Sequence, residues 1–183
     1  MIGKNKVLFV AEISANHLGS LNRAHELIEA ASESKVDYVK LQTYTAESMT
    51  LNLSRFSVSS RHELWSGINL FRLYAEAMTP WDWHEELFEH AKNLGLGIFS
   101  SPFDLAAVDF LESLDCPIYK IASLETGDTD LISYAASKYK PMIISTGAST
   151  LREIDLAVTA AAKVRNRLTL LVCTSSYPAD AED

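Results

Sequence analysis

Pro117-Ile118-Tyr119-Lys120-Ile121-Ala122-Ser123-Leu124-Glu125 decides the fold. Ile118, Tyr119, Ile121 and Ala122 leave no polar face except at Lys120, so the run does not alternate as a half-exposed strand does. A short apolar run behind a proline reads as a strand buried on both sides, the condition of a parallel sheet covered by helices. A lysine inside such a strand is costly unless something anionic meets it. It either faces an anionic ligand, snorkels past a strand edge, or pairs with a neighbouring carboxylate. Ser123 and Glu125 follow at the C-terminal end of the strand, the end at which α/β proteins hold ligands.

The same unit recurs in both directions. Residues 7–11 form an apolar run, expected as another buried strand, and lead into Glu12, Asn16 and His17. Ser20 then caps a helix to about Ser34, with Leu21, Ala24, Leu27, Ile28 and Ala31 on one stripe. Residues 37–43 are a strand with Lys40 in its middle and Gln42 near its end. Residues 44–68 break the rhythm with a Ser- and Asn-rich insertion longer than an ordinary βα loop. Residues 70–78 look helical. Thr79-Pro80-Trp81-Asp82 reads as a helix start, with Thr79 as the cap and Trp81 and Trp83 as packing groups; that helix stops at Gly95.

Residues 97–104 give a third strand, and Asp104 caps the helix that follows. Beyond the opening stretch come a helix near 130–137 and a strand at 141–147. A capping box of Thr150 and Glu153 starts a helix to about Val164, and a sixth strand spans 168–173. Six such units without a Gly-rich dinucleotide fingerprint predict an α/β fold of the (β/α)8 TIM-barrel type, with about the first six βα units present and two missing. The expectation is that residues 1–183 are the N-terminal part of a truncated barrel domain.

Composition narrows the function classes. The chain has 183 residues, is 48% hydrophobic and carries a formal net charge of -8, which argues against nucleic acid as a partner. Cys116 and Cys173 form no CxxC and no metal spacing, so reduced thiols and a cytoplasmic protein are expected. Neither a cleavable leader nor an apolar run near the roughly 20 residues of a membrane span is read, so no membrane role is expected.

Collected together, the strand ends supply Glu12, Asn16, His17, Lys40, Gln42, Ser101, Lys120, Ser123, Glu125, Ser145, Thr146, Thr174, Ser175 and Tyr177. Two lysines with a set of hydroxyls are what a phosphate or phosphoenol group requires, because lysines bring charge and hydroxyls bring donors without bulk. The two glutamates suit proton transfer or sugar-hydroxyl contacts.

The motifs AEISANHLGS (11–20), VKLQT (39–43), SSPFD (100–104), YKIAS (119–123), ISTG (144–147) and CTSSYP (173–178) resemble those of the sialic acid synthase family, in order and over nearly the whole chain. Leu64-Trp65-Ser66-Gly67 and Thr79-Pro80-Trp81-Asp82-Trp83-His84 are most similar to its pseudaminic acid synthase branch. The resemblance implies condensation of phosphoenolpyruvate with an open-chain N-acetylated amino sugar to a nonulosonic acid, releasing phosphate. By position it implies that Lys40, Lys120, Ser123, Ser145 and Ser175 hold phosphoenolpyruvate, that Glu125 holds sugar hydroxyls, and that Glu12 stands beside the reacting carbons. Ser175 takes the place where the sialic branch often has Asn. Gln42, Ser101 and Tyr177 join the substrate-binding set as strand-end groups. The resemblance also implies a divalent metal, Mn2+ or Mg2+, whose ligands lie on later strands, with no metal ligand in this chain. An antifreeze-like C-terminal domain, absent here, and a homodimer are implied for the complete enzyme. This chain by itself is expected to be inactive or nearly so.

Alternatives stay open within this frame. The sugar can be that of an N-acetylneuraminate or legionaminic acid synthase. Lys40 or Lys120 can instead form the imine of a Schiff-base aldolase. A non-catalytic half-barrel that binds phosphate is the third reading.

Overall fold

A computed structural model of the chain describes residues 7–58 and 65–174. Six strands, β1 Val10–Glu12, β2 Tyr38–Thr43, β3 Gly97–Pro102, β4 Tyr119–Ile121, β5 Met142–Ser145 and β6 Leu168–Leu171, are hydrogen-bonded in sequence order. The β1–β2, β3–β4, β4–β5 and β5–β6 pairs are parallel. Order without reversal is that of successive units in a (β/α) barrel, whereas a doubly wound sheet reverses at a switch point. Two compact units divide the chain, Val7–Ile98 and the residues from Phe99 onward, and β3 passes from one to the other.

In the first unit, helix α1 (Leu21–Glu33) starts where the Ser20 hydroxyl accepts the Arg23 N–H at 3.3 Å. Its stripe at i, i+4, i+7 (Ala24, Ile28, Ala31) is buried, as the periodicity requires. Helix α4 (His84–Asn93) ends at Gly95, whose φ of +77° is left-handed, and the Leu96 N–H closes back on the Ala91 carbonyl at 2.9 Å. Gly97 has a separate reason to be glycine: a Cβ there would lie inside the Tyr38 ring. The long insertion contains a short helix α2 (Ala46–Met49), boxed by Thr45 and Ser48, and is followed by helix α3 (Leu70–Ala77), capped by Asn69.

Two expectations fail in this unit. Residues 7–11 do not form a buried strand: β1 begins at Val10, and Val7, Phe9 and Val10 are 74%, 63% and 44% exposed. Among the described residues β1 pairs only with β2, and its Val10 and Glu12 side is exposed while Ala11 is half-buried. Thr79 does not cap a helix either. The chain enters through a 3-10 turn at Trp81–Trp83 without a side-chain cap, because the Thr79 hydroxyl is held elsewhere.

In the second unit, the Asp104 carboxylate accepts the Ala107 N–H at 2.6 Å and starts α5 (Leu105–Ser113). Asp128 caps α6 (Thr129–Ala136). The Thr150–Glu153 box starts α7 (Leu151–Ala160). α7 stops short of Val164, whose φ of -122° and ψ of 17° leave helical space inside a 3-10 stretch, Ala162–Arg167. Every residue of β4 and β5 is buried, as the opening stretch predicts. Behind β4 the Tyr119 hydroxyl donates to Glu112 at 2.5 Å, and Lys140 Nζ lies 3.1 Å from the same carboxylate.

Candidate functional site

β2 alternates cleanly: Val39, Leu41 and Thr43 are buried on one face, and Tyr38, Lys40 and Gln42 stand on the other. Glu12 is the register partner of Lys40. Partners on adjacent parallel strands lie about 4.8 Å apart and point the same way. Their side chains therefore meet, with Lys40 Nζ 2.5 Å from Glu12 Oε2. The second oxygen, Oε1, accepts the Ser14 N–H at 3.1 Å, and the Ser14 hydroxyl donates to Gln42 Oε1 at 3.0 Å. Glu12, Lys40 and Gln42 are thus gathered into one network, joined through a residue the sequence did not single out.

Behind this network the TPWDWH segment acts as a frame. His17 is fully buried; its Nδ1 accepts the Gly19 N–H at 3.1 Å, and its Nε2 lies 3.3 Å from the Thr79 hydroxyl, with Trp83 edge-on at 5.5 Å. His84, also buried, has Nδ1 3.1 Å from the Pro80 carbonyl and Nε2 2.9 Å from the Thr43 hydroxyl. A carbonyl only accepts, so His84 carries its proton on Nδ1; an N–H only donates, so His17 carries its proton on Nε2. Burial lowers both pKa values, that of His84 to about 4. Trp81 donates its indole N–H to the Tyr44 carbonyl at 3.2 Å. The residues after β1 and β2 are thereby fastened to one short stretch, and the packing role expected of Trp81 and Trp83 is what the structure shows.

The second unit gathers its own set. Lys120 is 9% exposed, and its ammonium donates to the Ile121 carbonyl at 3.0 Å. Ser100 is the register partner of Tyr119, so Ser101 and Lys120, the next residues along, stand side by side. After β4 the chain turns through a 3-10 helix, Ser123–Gly127, pinned by the Thr126 hydroxyl donating to the Ser145 carbonyl at 2.6 Å. Cys173 closes the cluster. Its thiol donates to the Leu171 carbonyl at 3.6 Å. Burial pushes the thiol up, but the neighbouring Ser145, Thr146 and Ser123 and the Lys120 charge outweigh that and hold it below the ordinary thiol range. Glu125 moves the other way: burial raises it, Asp128 adds to the rise, and its own N–H and Lys120 only partly oppose it.

Lys120, Ser123 and Ser145 all act on the Cys173 thiol, Ser101 stands beside Lys120, and Glu125 lies in the turn after β4. Ser175 and Tyr177 lie outside the described residues. Cys173 was legible as an unpaired cysteine at the end of the sixth strand and within the CTSSYP motif, and Ser14 only as a member of the AEISANHLGS motif, neither with a role; Thr126 gave no signal. Among the described residues no group of three or more His, Cys, Asp or Glu side chains is arranged to hold a metal. Both nitrogens of His17 and of His84 are already engaged.

The NeuB family matches residues 27–183. Pseudaminic acid synthase of Helicobacter pylori is 51% identical over 175 residues, covering 95% of this chain and 52% of that protein. Pseudaminic acid synthase of Campylobacter jejuni is 42% identical, covering 97% and 52%. The crystal structure of N-acetylneuraminic acid synthetase from Leptospira borgpetersenii in complex with citrate superposes with a TM-score of 0.82 at 29% identity, covering 98% of this chain and 58% of that one. The chain spans about half the length of the curated relatives it matches.

Proposed function

Because the chain belongs to the NeuB family, we propose that it carries part of the active site of a nonulosonic acid synthase, one that condenses phosphoenolpyruvate with an N-acetylated amino sugar and releases phosphate. The reading is carried by one observation. Lys40 of β2, paired with Glu12 beside the Ser14–Gln42 hydrogen bond, and Lys120 of β4, beside Ser101, each place a shielded cation next to hydroxyl or amide groups, which suits an anionic substrate. The names of the most similar relatives favour the pseudaminic branch.

In this proposal Lys40, Lys120, Ser123 and Ser145 keep the phosphoenolpyruvate-binding roles the family resemblance gives them, the lysines as cations and the serines as donors, and Ser101 joins them as a strand-end donor. Ser175 and Tyr177 keep the substrate-binding roles the family resemblance gives them. C3 of the enol bonds to the sugar aldehyde carbon, whose oxygen takes up a proton. Water adds at C2, and phosphate departs with cleavage of the C2–O bond. Glu125, lifted by burial, holds its proton to higher pH than an ordinary carboxyl and can donate it to a sugar oxygen. Glu12, fixed by Ser14 and Lys40, orients the reacting end. The family resemblance implies a divalent metal; the described residues do not form a site for one, and no step is assigned to it here.

The test is phosphate release from phosphoenolpyruvate with manganese, using this chain and a longer polypeptide that contains it. A 2,4-diacetamido-trideoxyhexose and N-acetylmannosamine are supplied in parallel. Release with the diacetamido sugar only, from the longer polypeptide, is expected. Release with N-acetylmannosamine moves the protein to the sialic branch, and release with neither overturns the synthase reading. Borohydride trapping with pyruvate separates the aldolase alternative, since a covalent adduct at Lys40 or Lys120 contradicts the proposal.

A further inference from the structure

Ser14 stands in a left-handed conformation, with φ of +45°. Glycine adopts that region freely, whereas a serine there works against its own preference. The backbone bend alone is enough to turn the Ser14 N–H onto Glu12, so glycine would serve that contact equally well. What serine adds is the hydroxyl, and the hydroxyl is spent on Gln42 Oε1 at 3.0 Å. Among the described residues this is the only hydrogen bond of the Gln42 side chain.

We infer that Ser14 is a positioning residue that anchors the Gln42 side chain by its amide carbonyl oxygen. With the carbonyl oxygen engaged, the NH2 group is left to donate to a neutral acceptor oxygen of the amino sugar. This rests on the synthase reading above. A neutral amide suits the carbonyl of an acetamido group better than it suits phosphoenolpyruvate, whose charges call for cations. Ser14 then acts on sugar affinity through Gln42, and leaves phosphoenolpyruvate to the lysines.

The experiment is steady-state turnover of Ser14→Gly in the longest polypeptide carrying this sequence. Glycine keeps the left-handed backbone and the N–H to Glu12, and takes away the CH2OH group that carries the hydroxyl. The KM for the amino sugar is expected to rise about 3- to 10-fold, the loss of one ordinary hydrogen bond, with the KM for phosphoenolpyruvate and the melting temperature held. In a Gln42→Ala background the same change should have no further effect. An equal rise in both KM values, or a sugar effect that persists without Gln42, overturns the inference. The Gln42 side-chain amide resonances read the hydrogen bond without any substrate: they should shift in Ser14→Gly, and unchanged resonances overturn the inference even if no sugar is turned over. A wild-type protein that turns over neither sugar contradicts the synthase reading separately.

Discussion

Glu12 and Lys40 are register partners on neighbouring parallel strands, and their carboxylate and ammonium meet at 2.5 Å. Lys40 is 12% exposed at its side chain and Glu12 45%, so the cation is the better shielded member. An arriving anion competes for that cation, and the carboxylate keeps the Ser14 N–H.

Lys40→Met should raise the KM for phosphoenolpyruvate by about 10- to 100-fold, the range of a lost charge-assisted contact, with little change in melting temperature. The pair is partly exposed and worth roughly 1 kcal/mol or less to folding. Steady-state kinetics and a thermal melt on the same sample check both halves.

His84 makes folding sensitive to acid. Its folded pKa is depressed to about 4 from 6.5 by burial, so the unfolded chain binds the extra proton. Its contribution is therefore complete above pH 6.5 and is lost as pH falls towards 4, by about 3 kcal/mol in all. His84→Gln, which keeps an amide donor and acceptor but does not titrate, should flatten the dependence of melting temperature on pH in that window.

Glu125 has the opposite sign. Its folded pKa is raised above 4.5, so the folded state holds the proton longer and stability falls as pH rises through the folded value. Glu125→Gln should abolish that decline in a pH series of melts while lowering phosphate release by about 100-fold or more. A variant with full turnover would remove Glu125 from the chemistry.

Cys116 and Cys173 should react very differently. Burial drives the Cys116 thiol up to about 11, while the cluster of Ser145, Thr146, Ser123 and Lys120 holds Cys173 below 9. Iodoacetamide at pH 8, read by peptide mass mapping, should label Cys173 at least about 100-fold faster. Phosphoenolpyruvate should slow that labelling, since the same hydroxyls and lysine are proposed to bind it.

Gly97→Ala should destabilise by about 1–3 kcal/mol, because the new Cβ must displace the Tyr38 ring. Adding Tyr38→Ala should recover most of the loss, a coupling that a double-mutant cycle of denaturation measures.

Features written in neighbouring residues were legible in the sequence. Ser20, Asp104 and the Thr150–Glu153 box cap the helices they were expected to cap, because a cap needs only a side chain and an N–H two or three residues on. Thr79 carries the same local signal and does something else, since its hydroxyl is engaged by His17 from 62 positions away. The exposure of Val7, Phe9 and Val10 has the same origin: an apolar run states that it can be buried, while pairing decides whether it is. In the candidate site, Glu12, Lys40, Gln42, Lys120, Ser123 and Ser145 were all read from their place on strands and strand ends, and the alternation of β2 is what sets Lys40 and Gln42 on one face. The role of Ser14 was invisible because its value lies in a backbone angle that a serine codon does not announce.

The hydroxyls of Thr126 and Thr146 both reach forward along the chain, to the carbonyls of Ser145 and Leu171, 19 and 25 residues later. Each loop is therefore sealed only when the following strand has arrived. For a polypeptide emerging from the ribosome these two links imply an order: each of the two loops stays loosely closed until its next strand is made, and the N-terminal one closes first, in steps of low contact order.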